Sequence, residues 1–189
     1  DGKVDENDKN KNHPIAANNS SKTALTWGKY LFPMSQYYNI WDTGINTVLF
    51  RYAEVLLCYA EAENELNGPS DDVYDKLNLI RNRVGMPHVD VAKYNTQDKL
   101  RELIRRERSI EMAGEGLRRA DILRWRDAAG KMLAETLLNG DLLRPMGTID
   151  YAEANPYKRA VVNPNRKVLI EPRSFAPYNR YLPIPQKYR

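Results

Sequence analysis

The chain has one cysteine, two histidines and no long apolar run, and each shortage removes a class of chemistry. A lone thiol, Cys58, excludes an internal disulfide, and it falls inside an apolar helical stretch that says little about compartment. With so few imidazoles, neither a His-rich metal site nor a His-based triad can be assembled from the sequence. No stretch approaches the ~18 consecutive apolar residues of a membrane span, and the opening residues do not read as a signal peptide. The first residue is Asp1, not methionine, so a processed protein or an excised piece is expected. An uninterrupted basic patch is also missing. The net charge of +4 and the pI of about 9.1 invite phosphate-bearing partners, yet most arginines lie among glutamates, as in Arg105-Arg106-Glu107-Arg108 and Glu115 to Arg119. Self-pairing is the expectation, and nucleic acid is not an expected partner.

What is present is a chain of 189 residues, 42% of them hydrophobic, enough for one sizeable core and read as one domain. Three stretches divide it: residues 1–46, polar and then aromatic loop; 47–139, helical hairpins; and 140–189, an irregular wrapping segment. The strongest helical signal runs over 47–67. There Val48, Tyr52, Val55, Tyr59, Ala62 and Leu66 recur every three or four residues beside a parallel stripe of Leu49, Ala53, Leu56 and Ala60, which predicts a wide face packed on two neighbours. Gly68-Pro69 stops that helix, and Ser70 or Asp71 can cap the next, from about Asp71 to Val84. Thr96, Gln97 and Asp98 precede a third helix through Leu100, Leu103, Ile104 and Ile110. A fourth runs from about Leu117 with a kink or restart at Gly130, ending near Asn139-Gly140. Two hairpins of similar length predict an all-α fold of degenerate tetratricopeptide-like repeats with long irregular loops and at most short β segments, Val168-Leu169-Ile170 among them. Arg180 to Pro185 reads as an extended segment that wraps back on the helices.

Two features bear on function. Residues 25–46 carry Trp27, Tyr30, Phe32, Tyr37, Tyr38 and Trp41 at spacings that fit neither a helix nor a long strand. Such rings stack on sugar C–H faces or other planar groups, or else plug the seam between loop and core; both readings stand. The ligand-binding candidates are Trp41, Tyr38, Tyr37, Trp27 and Tyr30, with Asn39 and Asp42 beside them as hydrogen-bonding groups. Charged residues on a core face form the second feature. Glu107 and Glu111 follow the apolar stripe of the third helix, and a helix hairpin turning at Gly114 to Gly116 would set them against Arg118 and Arg124. A glycosidase holds its two carboxylates on opposite sides of a sugar, whereas neighbours on one helix flank nothing. No catalytic residue is expected. Asp8, Asn10 and Asn12 have the alternate spacing of a calcium loop, but His13 stands where the turn needs glycine and Asn19 where the closing glutamate belongs, so no metal is expected either.

Four segments, RYAEVLLCYAEAENELNG (51–68), LNLIRNRVGMP (77–87), LRELIRRERSIEMAGEGLRRADILRW (100–125) and YLPIP (181–185), together and in this order resemble the C-terminal half of SusD/RagB outer-membrane nutrient-binding lipoproteins. The resemblance implies a helical protein held on the outer face of the outer membrane by a lipid anchor that lies outside this chain. It implies a TonB-dependent, SusC-like transporter as partner, an oligosaccharide or, in some members, a peptide as ligand, and neither cofactor nor chemical conversion. Arg51, Glu61, Arg81, Glu107, Glu111, Arg118, Asp121 and Arg124 lie in the matching segments and are read as architecture. A helical-repeat adaptor that docks another protein, with no small-molecule site of its own, is the alternative.

Overall fold

The computed structural model describes residues 29–30, 48–150, 152–154 and 160–181. The chain divides into two compact units, Met34–Asp121 in one and Asp1–Pro33 with Ile122–Arg189 in the other.

The first unit is built on α1 (Tyr52–Asn67), against which both α2 (Asp71–Arg83) and α3 (Gln97–Glu111) pack. Local chemistry sets the helix ends. Ser70 Oγ accepts the Val73 amide at 3.4 Å and Thr96 Oγ1 accepts the Lys99 amide at 3.4 Å, each satisfying a first-turn donor that the helix cannot. α1 stops at Gly68, whose φ of 78° is left-handed and whose N–H returns to the Asn64 carbonyl. Leu56, Leu57 and Ala60 of α1 meet Val73, Tyr74, Leu77 and Ile80 of α2 and Leu100, Leu103 and Ile104 of α3, with Val89 and Met112 closing the cluster. The loops are tied in by polar bonds: Tyr74 Oη donates to the Tyr94 carbonyl at 2.8 Å, and Asn78 Oδ1 accepts the Val89 amide at 2.8 Å.

Only half of the wide face expected on α1 is packed. Tyr52, Val55, Tyr59 and Leu66 are 70, 55, 45 and 80% exposed, and Leu49 just before the helix is 87% exposed. The neighbours α2 and α3 both sit on the side of Leu57, Ala60 and Asn64, so the second stripe faces outward. Ile110 is likewise exposed, at 66%. Six residues beyond Ile104 it has turned well off the core face, and the buried line continues instead through Glu107, Arg108 and Met112.

The outer face of α1 still touches α2 at one point. Asp72 accepts hydrogen bonds from Lys76 and from the Tyr59 phenol, which hold its carboxyl below the usual range, while the same bond pushes the Tyr59 phenol up. A carboxyl with a depressed folded pKa stabilises the fold above its unfolded value of ~3.9, and that contribution disappears as pH falls through the folded value. Asp72→Asn should therefore lower the melting temperature slightly at pH 7, and by progressively less as pH falls below the unfolded value. A carbon-detected NMR titration placing the Asp72 midpoint at or above 3.9 would contradict this.

The chain leaves the first unit within α4 (Arg118–Arg124), and the second unit departs from the sequence reading in two ways. The fourth helix ends at Arg124, earlier than read, although a restart follows Gly130 as expected. Asp127 Oδ1 accepts the amides of Ala129 (2.9 Å) and Lys131 (3.0 Å), and Gly130 takes a φ of 77°, so a tight turn separates α4 from α5 (Leu133–Leu137). An aspartate offering its own acceptor to nearby amides outcompetes the helix there. Ile122, Met132 and Ala134 form a small core with Leu123, Leu138 and Phe175 around it.

The second departure corrects the fold class: the described chain is mostly helical but not all-α. β1 (Gly140–Ile149) and β2 (Ala160–Arg173) pair antiparallel from Gly140↔Arg173 to Ile149↔Ala160. The expected Val168-Leu169-Ile170 strand is real but is a part of β2. Register shifts fall at Leu142/Leu143 and Pro145/Met146, the second directly beside a residue that has no N–H to give the ladder. Gly147 is required by contact, since a Cβ there would come within 2.3 Å of the Val161 carbonyl oxygen. After β2 the chain returns to the end of α5, where Asn139 bonds both the amide (2.7 Å) and the carbonyl (2.9 Å) of Phe175. Arg180 ends a 3-10 helix, Pro177–Arg180; residues 182–185 of the expected extended segment lie outside the described residues.

Candidate functional site

Of the ring candidates, Trp27, Tyr37, Tyr38 and Trp41 lie outside the described residues, as do Asn39, Asp42 and the rejected calcium loop. Tyr30 is described. It is half-buried with φ 59°, in the left-handed region, and the Lys29 ammonium stands 5.1 Å from its ring centroid. A non-glycine residue held there costs roughly 1–3 kcal/mol, and such strain persists only where surrounding contacts impose it.

The charged residues of the helical unit are committed to one another. Arg81, 8% exposed, pairs with Glu107, 7% exposed, and its Nε donates to the Pro87 carbonyl at 2.6 Å. The sequence set Glu107 against the arginines of α4; Arg81 of α2 takes it instead. Arg108 Nε bonds Asp121 Oδ2 at 2.8 Å with both side chains buried, and its Nη1 lies 3.4 Å from Cys58 Sγ. Arg51, immediately before α1, is the hub of a third group. It reaches Glu111 Oε1 at 2.6 Å, Glu115 Oε1 at 2.8 Å, the Glu111 carbonyl and, at 3.8 Å, Met112 Sδ, while Arg83 bonds the same Glu111 at 2.7 Å. The Glu115 bond, with Glu111 adding to it against the opposing effect of burial, holds the Arg51 guanidinium well above its ordinary value. Glu115 and Arg83 escaped the sequence reading. The signal for Glu115 was its position between Gly114 and Gly116, whose φ values of 78° and 79° turn the loop back towards Arg51.

These carboxylates brace helices. Glu107 and Glu111 lie on one helix and each is bonded to arginine, so they do not form the facing acid and base of a hydrolase. Among the described residues no group of three His, Cys, Asp or Glu could hold a metal, and no helix is long and apolar enough to cross a membrane.

Helix caps, arginine–glutamate braces and glycine turns order the helical unit. The model of the SusD family matches residues 2–188. The chain belongs to the SusD family. Curated relatives from Formosa agariphila agree: SusD-like protein P25 is 42% identical over 81 residues, 42% of this chain and 15% of that protein. SusD-like protein P38 is 38% identical over 93 residues (46% and 18%), and SusD-like protein P2 is 38% identical over 114 residues (58% and 21%). The chain thus matches about a fifth or less of the length of these SusD-like proteins. No solved structure matches it. In this SusD-family chain Arg51, Arg81, Glu107, Arg108, Glu111 and Asp121 pair with one another and brace the helical unit.

Proposed function

We propose that this SusD-family chain is part of a non-catalytic protein that binds oligosaccharide at the cell surface for import through a TonB-dependent, SusC-like transporter. The protein is held at the outer face of the outer membrane by a lipid anchor, and no cofactor takes part. Family membership over residues 2–188 carries this reading. The chemistry of the helical unit supports it: the buried carboxylates Glu107 and Asp121 are each bonded to an arginine, which suits a scaffold and leaves recognition to rings.

Ligand contacts in this chain come from Trp41, Tyr38, Tyr37, Trp27 and Tyr30, which offer flat apolar faces with polar tips and little side-chain entropy to lose. Titration of tryptophan fluorescence with a panel of oligosaccharides and short peptides tests this. Saturable binding of a saccharide is expected, with Trp41→Ala and Tyr38→Ala each weakening it about tenfold or more at unchanged melting temperature, the weight of a contact ring at ~1.4 kcal/mol. Binding of peptides alone would move the ligand to the family's other class. Unchanged saccharide affinity in both variants would place the site away from these rings.

A further inference from the structure

The self-pairing of arginine with carboxylate stops short of the β1–β2 ribbon. Residues 140–189 hold nine lysines and arginines against four acids, whereas residues 1–139 hold 20 against 21, so the whole positive excess of the chain lies from residue 140 onward. Arg51, Arg81, Arg83, Arg101, Arg105 and Arg108 of the helical unit each bond a carboxylate. Among the described residues, Arg144, Arg166, Lys167 and Arg173 of the ribbon bond none. We infer that Arg144, Arg166 and Lys167 are a binding site for the carboxylate or sulfate groups of an anionic saccharide, a ligand class that rests on the oligosaccharide reading above and narrows it.

The register gathers the three cations. Arg144 stands opposite Val168 and Pro145 opposite Lys167, after which the pairing jumps to Met146 with Asn163 and leaves residues 164–166 as a bulge. Opposite and diagonal positions of a ladder lie roughly 5–8 Å apart, and a bulge turns side chains out of the regular alternation. Arg166 and Lys167 are exposed, and Arg144 is half-buried with its Nη2 3.9 Å from Met146 Sδ, a weak acceptor. Like charges at this spacing repel. The ribbon's acids do not offset them: among the described residues Asp141 and Glu171 are exposed and bond none of these cations, and they stand opposite Pro172 and Leu142, towards the other end of the ladder. A bound anion relieves such a cluster. The surroundings select what carries that anion. The sheet has two strands, and Val168 and Leu169, next to Lys167, are exposed. Guanidinium groups take carboxylate or sulfate in a forked pair of hydrogen bonds, while aliphatic side chains offer apolar surface to the C–H face of a sugar ring. Three cations on a narrow ribbon fit a single chain bearing acid groups at intervals, and are fewer than the ~4–8 basic residues by which proteins hold anionic membranes.

Calorimetric titration of the full chain tests this with oligogalacturonate, its methyl ester, a chondroitin sulfate oligosaccharide, polyglutamate and vesicles containing anionic phospholipid. The galacturonate and its ester share one backbone and differ in charge. At least one acidic saccharide should bind about tenfold or more tighter than the ester, and more weakly as salt is added. Arg166→Gln/Lys167→Gln should remove about tenfold or more of that affinity at unchanged melting temperature, because both side chains are exposed and bond no carboxylate. Taking the same charge from the helical unit, as Lys93→Gln/Lys99→Gln at two exposed positions, should cost far less, which separates a site from net charge. Equal affinity for acid and ester would overturn the inference while leaving the oligosaccharide reading intact, and so would equal losses in the two double variants. Binding of no saccharide at all would overturn both. Polyglutamate or vesicles bound as tightly as the acidic saccharides, with the same loss in the ribbon variant, would also overturn the inference by giving these cations to a peptide or a membrane.

Discussion

Replacing Arg81 by methionine should lower the unfolding free energy by about 3–5 kcal/mol, the cost of leaving a buried carboxylate without its partner. Glu107 is 7% exposed and Arg81 is the cation bonded to it, so water cannot readily take over when the guanidinium goes. The same change also strands the Pro87 carbonyl, which accepts Arg81 Nε at 2.6 Å, and this adds about 1 kcal/mol. Glu107→Leu should be of similar size, since it leaves a buried guanidinium instead. The double variant Arg81→Met/Glu107→Leu is the informative one. Both charges are then gone, methylene groups fill comparable volume, and stability should recover most of the loss, because a buried ion pair gains little over a well-packed apolar pair. Urea denaturation of the four proteins of this cycle measures the coupling directly. Single variants within about 1 kcal/mol of the parent would mean that the pair is hydrated in solution and does not brace α2 on α3.

Why this pair was half legible illustrates what a sequence can convey. The spacing from Leu100 to Glu111 puts Glu107 on a core face, and a carboxylate there demands a cation; that much follows from helical geometry alone. Which cation answers depends on tertiary packing, and Arg81 lies 26 residues away on a different helix. Features closed within a few residues were readable for the same reason in reverse. Ser70, Thr96 and Gly68 act on amides and carbonyls three or four positions away, so local chemistry fixed them. The β1–β2 hairpin was not readable, because Pro145 and Pro164 interrupt the alternation that marks a strand, and the bulges that accommodate such interruptions are set by the partner strand. At Asp127 helical spacing continues, but its carboxylate draws the amides of Ala129 and Lys131 into a turn, and the break read at Gly130 opens earlier, after Arg124. Of the candidate ligand site, the sequence supplied ring chemistry and nothing of geometry, and Tyr30 is the one ring whose backbone and surroundings are described.

The two faces of α1 make the sharpest contrast in expected stability, because identical chemistry should have opposite consequences on them. Leu57 is 0% exposed at the junction of α1 with α2 and α3, in contact with the cluster that includes Leu77, Leu100 and Leu103. Leu57→Ala should cost about 3–5 kcal/mol, combining lost transfer energy with a cavity that three packed helices cannot collapse around. At ~2–4 °C per kcal/mol for a chain of this size, the melting temperature should fall by roughly 6–20 °C. Leu66→Ala, on a side chain 80% exposed in the same helix, should stay within about 0.5 kcal/mol of the parent in the 189-residue chain. Propensity cannot produce the difference, since both substitutions exchange one good helix former for a better one. A Leu66 effect approaching that of Leu57 in this chain would mean that the outer stripe is covered already, by a second copy or by residues 1–47.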